Sequence, residues 1–391
     1  MRFPEFSEEW TKTLLNNYLE ENKERNKRGI FTKNHVLSVS GDFGIINQIE
    51  LLGRSFAGKS VLDYHVVRTG NIVYTKSPLK EYPYGIVKVN GGVDGIVSTL
   101  YAVYKVKETA NGKFVEYYFG LPNRTNRYFK PIVRIGAKHD MKIGNDEVLA
   151  NYVVFPCVDE QKRISDFICL LDERIATQIK IIEKLESLIK GIVETHYSQC
   201  ECINQVRISE LGEAFTTMNM SKEDLSEEGN ECILYGELFT TYGCVIKEVK
   251  SRTHISTDKA TTSQSNDLLF PASTTVDAMS LIAPSAICKE EVILGGDLFG
   301  VHVNKNYNNE YLSYLKNYIY KSKLARYAQG STIIHLHYSD IKNATLLLPT
   351  IEEQNYLAHL MRGVEEKINI EKDMLSKLYS QKAYLLSNLF I

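Results

Sequence analysis

Residues 53–60 read GRSFAGKS, which fits the G-x-x-x-x-G-K-[ST] pattern of a phosphate-binding loop. Such a loop cradles nucleotide phosphates only when a strand precedes it and a helix follows it, because the helix N-terminus then faces the phosphates. The preceding INQIELL could form the strand. The following VLDYHVVRTG is rich in β-branched residues and indicates a second strand instead of a helix. We therefore expect no nucleotide here and keep Lys59 only as a candidate contact to a nucleic-acid phosphate.

Other common catalytic and metal-binding patterns are missing from the sequence. There is no N-P-P or D-P-P motif to hold an amine for methyl transfer, and no H-E-x-x-H. The 7 cysteines are scattered, and Cys200 and Cys202 have no second pair at zinc-ligand spacing. The sequence predicts reduced structural thiols, no cofactor, no metal and no catalytic site of its own.

Length and charge suggest two unequal domains. A chain of 391 residues exceeds one ordinary core. Residues 1–155 hold 22 Lys and Arg against 16 Asp and Glu, whereas residues 200–348 hold 13 against 18. Only the first region is basic, so charge alone favours nucleic-acid binding weakly. No apolar run of membrane-spanning length and no signal-peptide core occur, which predicts a cytoplasmic protein.

The sequence contains an internal repeat of two copies. VVFPCVDEQKRISDF and LLLPTIEEQNYLAHL align so that Pro156 matches Pro349 and Gln161 matches Gln354, both 193 positions apart. Further identities follow at the same offset without a gap. A repeat of this length predicts a globular head followed by a helix, present in two copies.

Each copy of the motif opens a long amphipathic helix. Thr350 and Glu353 fit a capping box at the second helix start. Apolar residues then recur with alternating spacings of four and three, as in a coiled coil. The predicted seam residues are Ile164, Ile168, Leu171, Ile175, Gln178, Ile182 and Leu185 in the first helix and Val364, Ile368, Glu371, Leu375 and Leu378 in the second. Helices of roughly 35 residues would each reach ~50 Å.

The simplest arrangement is an α+β protein with an internal pseudo-two-fold repeat. Two mixed α/β heads, residues 1–155 and 200–348, would be joined by two long antiparallel coiled-coil helices, residues 156–199 and 349–391. The alternative is that each helix lies on its own head. The heads share strand and loop patterns but differ in their loop residues, which suits one scaffold with two targets.

The sequence resembles the specificity (S) subunits of type I restriction-modification systems over its whole length. The likeness is carried by Pro156–Gln161 and Pro349–Gln354, by the helices after them, by RFPEF…EW at Arg2–Trp10 and by ILYGELFTTYG at Ile233–Gly243. The resemblance implies two target recognition domains, each reading one half of a split site in double-stranded DNA. It also implies helices that set the gap and dock two methyltransferase subunits, with restriction subunits added in the holoenzyme. The acidic second head departs from this pattern and would need a local basic patch or the partners' charge.

Candidate DNA contacts are polar or basic residues in predicted loops of the heads, where Arg and Gln suit bidentate readout of bases. Besides Lys59 they are Lys76, Ser77, Arg124, Asn126, Arg127 and Lys130 in the first head and Ser273, Thr274, Thr275, Gln329, Ser331 and Thr332 in the second. For each of them an ordinary solvated loop position is an equal alternative. His335 and His337 alternate as on a strand and are interpreted as ordinary strand histidines.

Two other function classes stay open. A coiled-coil adaptor or antirestriction protein would bind proteins through its heads, and a nucleotide hydrolase would use the loop at residues 53–60. DNA binding that requires methyltransferase partners separates the first from a specificity subunit, and nucleotide titration tests the second.

Overall fold

The computed structural model describes residues 2–79, 82–135, 141–200 and 204–390, so Cys202 lies outside the described residues. The chain divides into two compact units. The first comprises Met1–Gln178 with Met374–Ile391, and the second comprises Ile179–Asp373. Each unit therefore contains one head and a part of both long helices.

The first head consists of short strands and helices in mixed order. Its described elements are β1 (Thr11–Leu14), β2 (Leu19–Glu21), β3 (Leu37–Ser40), β4 (Gly44–Asn47), α1 (Gln48–Leu52), β5 (His65–Val67), β6 (Ile72–Tyr74), β7 (Val87–Val89), β8 (Gly95–Val97), β9 (Ala102–Val106), α2 (Gly112–Tyr118), α3 (Pro122–Phe129), β10 (Arg134–Ile135), β11 (Met141–Lys142), α4 (Asn145–Leu149) and β12 (Tyr152–Phe155). The first long helix, α5, follows at Val158–Gln199.

The second head has a similar series. Its described elements are β13 (Asn204–Arg207), β14 (Gly212–Thr216), β15 (Leu225–Ser226), β16 (Asn230–Leu234), α6 (Glu237–Thr240), β17 (Val245–Ile246), β18 (Ser251–Thr253), β19 (Asp267–Pro271), β20 (Ser273–Thr274), α7 (Ala278–Leu281), β21 (Ser285–Ile287), β22 (Ile293–Gly295), β23 (Leu298–Val303), α8 (Asn309–Tyr318), α9 (Lys321–Ala325), β24 (Ile334–His335), α10 (Tyr338–Ile341) and β25 (Thr345–Leu348). The second long helix, α11, spans Ile351–Leu389.

The same sheet lies at the centre of both heads. The strand order is β2-β9-β6-β7 in the first and β14-β23-β19-β21 in the second, where β17 extends the edge. Val73 and Val103 lie in the buried aliphatic cluster of the first sheet, and Leu269 and Ile287 in that of the second. The mixed content of strands and helices confirms the predicted α+β class.

Strand register reproduces the repeat. In each head the first strand pairs antiparallel with the last, β1 with β12 and β13 with β25. Thr11 faces Phe155 and Asn204 faces Leu348, so both partners shift by the same 193 positions between copies. This pairing brings the two ends of each head together at the point where its long helix begins.

Both long helices begin two residues after the motif proline, at Val158 and Ile351. The predicted capping box is present in the second copy, where the Glu353 amide donates to Thr350 Oγ1 and the Thr350 amide donates to Glu353 Oε2, both at 3.4 Å. Within the described ranges, no helix combines the length and the apolar character that crossing a bilayer requires.

Three local predictions are corrected by the structure. INQIELL ends in α1 and not in a strand, and the next element after the GRSFAGKS loop is strand β5, so the loop opens no helix. Residues of the expected basic loop in the first head form helix α3. Of the two histidines expected on one strand, only His335 lies in β24, whereas His337 precedes α10.

Candidate nucleic-acid interface and its helical support

A buried glutamine attaches the first long helix to its head. Gln161 Nε2 donates to the Pro156 carbonyl at 3.0 Å, and its Oε1 accepts from the Asn111 amide at 3.0 Å. The Asn111 side chain in turn accepts from the Phe114 amide and so caps α2. The first turn of α5 is thereby joined to the first turn of α2.

The second copy makes the same bonds. Gln354 Nε2 donates to the Pro349 carbonyl at 2.9 Å, and its Oε1 accepts from the Asn308 amide at 3.1 Å. Asn308 caps α8 by accepting from the Tyr311 amide at 2.9 Å. The residue must supply a donor and an acceptor at once, which an amide can do and a carboxylate cannot. This requirement explains why both motifs contain Gln.

The acidic residue before the first glutamine links to the N-terminal segment. Arg2 makes a bidentate pair with Glu160, at 2.8 Å from Nε and 2.7 Å from Nη2. Trp10 Nε1 also donates to Glu160, at 3.3 Å. In the first unit, the N-terminal RFPEF…EW segment therefore contacts the Glu160–Gln161 pair, which we call the E-Q motif. Its second copy is Glu353–Gln354.

Farther along each long helix, a second acid meets the head. The Tyr117 hydroxyl of α2 donates to Asp172 at 2.8 Å in the first unit. In the second unit Glu365 lies beside Tyr314 of α8, and burial followed by this charge raises the pKa of that phenol. Asp172 and Glu365 are 193 positions apart, and each tyrosine lies six residues after the asparagine that caps its helix, so each head is held to its helices at more than one level.

In the first unit the end of α11 returns to the start of α5. Lys382 pairs with Asp172 at 2.5 Å, and the Phe390 ring lies 5.1 Å from Phe114 of α2. Arg124 Nη2 donates to the Phe390 carbonyl at 2.5 Å. A cation at the last carbonyls of a helix is favoured by the helix dipole.

In the second unit the end of α5 meets the start of α11. Lys372 pairs with Glu186 at 2.8 Å. Near the end of α5, burial lowers the pKa of His196 and raises that of Cys200, and the nearby Glu353 carboxylate of α11 raises the pKa of both. As α5 advances, its partners in α11 move backwards, so the helices run antiparallel as predicted. Tyr197 attaches the end of α5 to the second head, since its hydroxyl lies 2.8 Å from that of Tyr320, which precedes α9.

The predicted seam positions are buried or half-buried along both helices. Fully buried among them are Ile164, Ile168, Leu171, Ile175, Gln178, Ile182, Ile368, Glu371 and Leu378. Leu185, Val364 and Leu375 are half-buried. Glu371 also pairs with Lys367 one turn earlier, which compensates the burial of its carboxylate.

The first-head candidates lie in different settings. Lys59 is exposed in the loop before β5. Lys76 is half-buried, and its Nζ donates to the Ile143 carbonyl at 3.0 Å and to Asn145 Oδ1. Burial lowers the pKa of Lys76. Ser77 is half-buried and donates to the Thr75 carbonyl. Of the two lysines, only Lys59 presents its charge to solvent.

Helix α3 separates its candidates by face. Arg124 and Asn126 are half-buried, and burial lowers the pKa of the Arg124 guanidinium that contacts the end of α11. Arg127 and Lys130 are exposed. The neighbouring Tyr128 and Phe129 are buried and therefore do not offer rings for base stacking. The solvent-exposed cations of this helix are thus Arg127 and Lys130.

The second-head candidates come together on one ribbon. Ser273 and Thr274 form β20, which pairs antiparallel with His335 and Ile334 of β24. Gln329 exchanges two backbone hydrogen bonds with His335, at 2.9 and 2.7 Å. Ser273 is buried and Thr274 half-buried, whereas Thr275, Gln329, Ser331 and Thr332 are exposed.

The turn beside this ribbon depends on glycine. Gly330 has φ +121°, and a Cβ there would lie 2.1 Å from the Ile333 carbonyl oxygen. Such a conformation is open to glycine and strained for other residues. The turn therefore presents Ser331 and Thr332 in a fixed backbone geometry.

A cavity of about 800 Å³ opens against the ribbon. Ser273, Thr274, Thr275 and Ile333 line one side, and Lys321 of α9 also lines it. Lys323 and Arg326 follow on the same short stretch and are exposed. Lys323 Nζ donates to the Thr345 carbonyl at 2.9 Å, and a local basic patch on this acidic head stays a prediction.

Sequence reasoning missed two features. One is the attachment made by Gln161 and Gln354, whose identity at equal repeat positions signals a shared role but does not name their partners. A set of exposed apolar residues on the long helices outside the seam was also missed. Its members are Phe167, Leu170, Met374, Tyr379 and Tyr384 in the first unit and Ile181, Leu188, Tyr356, Leu360 and Ile370 in the second.

Metal chemistry finds no support in the part of the chain that the structure describes, where no three His, Cys, Asp or Glu side chains are grouped to hold an ion. Burial raises the pKa of several free thiols in these residues. Burial, for example, raises the pKa of Cys232 to about 11.

Comparison with known proteins finds a family model that matches part of the chain. Residues 202–379 match the family model of the type I restriction modification DNA specificity domain. This range covers the described second head and most of α11. It therefore takes in the cavity, the ribbon and the second E-Q motif.

Two solved structures share the fold over nearly the whole chain. A type I restriction-modification system S subunit from M. genitalium is 14% identical with a TM-score of 0.59, and the match covers 98% of this chain and 96% of that one. A chain from work on complex assembly and conformational transition of the type I R-M system is 15% identical with a TM-score of 0.56, covering 98% and 97%. The family model thus matches the second head and its helix, and the two structures show that the whole chain shares its fold with these subunits.

Proposed function

We propose that each head reads one half of a bipartite site in double-stranded DNA and that the paired helices set the unspecified gap between the halves. The observation that carries this proposal is the repetition of one head–helix attachment, made by Gln161 and Gln354, with different residues exposed on each head. Phosphate contacts fix position and base contacts fix sequence. Because each head is attached rigidly to its helix, the length of the helices would set the distance between the two half-sites.

The exposed residues suit different parts of this task. Lys59, Arg127 and Lys130 are placed to contact phosphates or bases from the first head. Gln329, Ser331, Thr332 and Thr275 supply the amide and hydroxyl groups that match base edges from the second. The buried or internally bonded candidates, such as Lys76 and Arg124, support the heads in this proposal.

Methyltransferase subunits are the proposed partners of the long helices. Exposed apolar residues occur on both helices in each unit, and Phe167 and Leu360 occupy matching repeat positions. Apolar side chains outside the seam suit packing against further helices. Two equivalent surfaces would take two modification subunits, and restriction subunits would join in the holoenzyme. Action on chromosomal DNA would place the assembly in the cytoplasm.

In this proposal the chain directs chemistry without performing it. The methyltransferase partners would supply the cofactor and the catalytic groups. Purified chain alone should transfer no methyl group to DNA, whereas chain plus partner subunits should methylate one split sequence. Methyl transfer by the chain alone would contradict this part of the proposal.

Gel-shift titration tests the main proposal. The chain with its methyltransferase partners should bind one split sequence tightly, and a duplex with either half-site scrambled should bind at the nonspecific level. Binding to proteins but to no split DNA would favour an adaptor or antirestriction role instead. Nucleotide titration should give no saturable binding at the GRSFAGKS loop.

A further inference from the structure

The cavity of the second head lies where independently identified residues converge. It is lined by Ser273, Thr274 and Thr275, which the sequence already marked as candidate base contacts. Ile333, next to the Gln329–Thr332 turn, also lines it. Its volume of about 800 Å³ lies within the ~300–1,000 Å³ of typical small-ligand pockets. A space of this size is large enough for a small planar ligand.

The lining indicates what that occupant is. Among the residues that line the cavity, Lys321 is the one cation, and hydroxyl, amide and aromatic side chains make up much of the rest. A groove for the DNA backbone would need several cations to replace counterions. Asn317 bonds internally through its amide nitrogen, to Pro284 and Ser313. Within the described residues its Oδ1 makes no hydrogen bond and is available as an acceptor.

Aromatic rings supply the other requirement of a base site. Tyr235, Phe239, Tyr242 and Tyr318 line the cavity, and none of these four is fully buried. Unstacked bases bind to aromatic faces and to polar groups that match their edges. A cavity with both kinds of surface and little positive charge fits a base better than a phosphate.

The first head has a different element at the position that corresponds to the cavity of the second head. Strand β4 contacts β7 there, as β17 pairs with β21 in the second head. In the first head β3 and β4 form a hairpin whose tip exposes Phe43, whereas in the second the chain before β17 forms α6 and lines the cavity. The two heads therefore differ in shape at matching positions.

We propose that the cavity of the second head receives one unstacked nucleobase of the bound half-site. This inference rests on the proposed function and adds a mode of readout to it. Ser273, Thr275 and Asn317 would contact the base edge, and Tyr318 or Tyr242 would stack on its face. Lys321 would hold the adjoining phosphate. Rotating a base out of the duplex costs the least free energy where that base is mispaired.

The experiment uses the chain in complex with its methyltransferase partners and duplexes of the motif defined by methylome sequencing. 2-Aminopurine replaces each base of the second half-site in turn. Fluorescence should rise several-fold on binding at one position other than the methylated base. A mismatch at that position should tighten binding by about tenfold. If no such position fluoresces while binding is intact, the inference is wrong.

A variant that fills the cavity gives a second readout. Gly243 lines the cavity, and a side chain there would extend into open space, so Gly243→Trp should fit without backbone strain. It should abolish the fluorescence rise and the mismatch advantage and weaken binding at least tenfold. Gly243→Ala at the same site and Gly91→Trp, also in open space on the first head, should behave as wild type.

The outcomes separate this inference from the proposed function. A wild-type complex that binds no split duplex contradicts the proposed function itself. Specific binding that Gly243→Trp leaves unchanged, in a variant whose unfolding temperature matches that of Gly243→Ala, overturns only the cavity. Fluorescence from the methylated base should persist in Gly243→Trp, because the methyltransferase would extrude that base.

Discussion

At the level of single residues, roles that depend on neighbours in sequence could be predicted, and roles that depend on distant partners could not. Thr350, Glu353 and the seam positions could be predicted because capping and heptad spacing depend on neighbours in sequence. The function of Gln161 could not, since its partner Asn111 lies 50 residues away. Arg124 was a reasonable DNA candidate by type, but only tertiary structure places it against Phe390.

Lys316 of α8 gives a prediction at this scale. It is 0% exposed, and its Nζ has no hydrogen-bond partner among the described residues. Burial lowers its pKa to about 7. We expect Lys316→Met to stabilise the second head by roughly 2–4 kcal/mol at pH 7, because an unpaired buried amine is replaced by an apolar chain of similar length. Urea unfolding measures the change, and exposed Lys305→Met is the control.

The effect of Lys316 should depend on pH in a defined direction. Its pKa is lower in the folded state than the ordinary 10.5, so the unfolded chain binds more protons and stability rises with pH between about 7 and 10.5. The advantage of Lys316→Met should therefore be largest near pH 7 and shrink towards pH 10. A pH-independent difference would show that the amine does not titrate as described.

Elements were predictable in proportion to their length. The helices α5 and α11 carry many turns of one pattern, so their existence and pairing direction followed from sequence. Short elements did not. Helix α3 forms where a basic loop was expected, because Tyr128 and Phe129 bury their rings in the core and thereby fix its face. Packing of that kind is invisible to local propensity.

The helix–head attachment predicts a local instability on mutation. Gln354→Leu removes both bonds and leaves the Pro349 carbonyl and the Asn308 amide without partners. The cost should be about 2–3 kcal/mol. Hydrogen exchange should accelerate in the first turns of α8 and α11, while the exposed Gln381→Leu leaves it unchanged. Equal protection in both variants would mean that the attachment is not needed.

Spacer length gives a prediction for both helices together. One heptad inserted into each of α5 and α11 keeps the seam in register and adds up to ~10 Å. The unspecified gap should lengthen by up to about three base pairs while both half-sites stay the same. Methylated-motif mapping reads the result. An altered half-site with the original gap would show that the helices do not set the spacing.

The whole molecule is a repeat whose two halves differ where they expose loops. That duplication was visible in sequence because the identities in the E-Q motifs and along the long helices keep one offset of 193 positions. Which loops lie side by side was not visible, since the β20–β24 ribbon unites residues from distant parts of the second head.

Assembly with partners is tested at this scale. Leu170 is 66% exposed on α5, so Leu170→Asp should leave the fold intact while reducing methyltransferase binding at least tenfold. The nearby exposed Ala176→Asp adds the same charge without removing an apolar side chain. Co-purification or calorimetry with the partner gives the comparison. Loss of binding in both variants, or in neither, would argue against this surface.

The most direct test is methylome sequencing of cells that carry the partner genes with wild-type chain, without the chain, and with Gln329, Ser331 and Thr332 replaced by alanine. We expect one split motif with a fixed gap, its complete loss without the chain, and relaxed sequence only in one half for the variant. A continuous motif, or methylation that persists without the chain, would contradict the account.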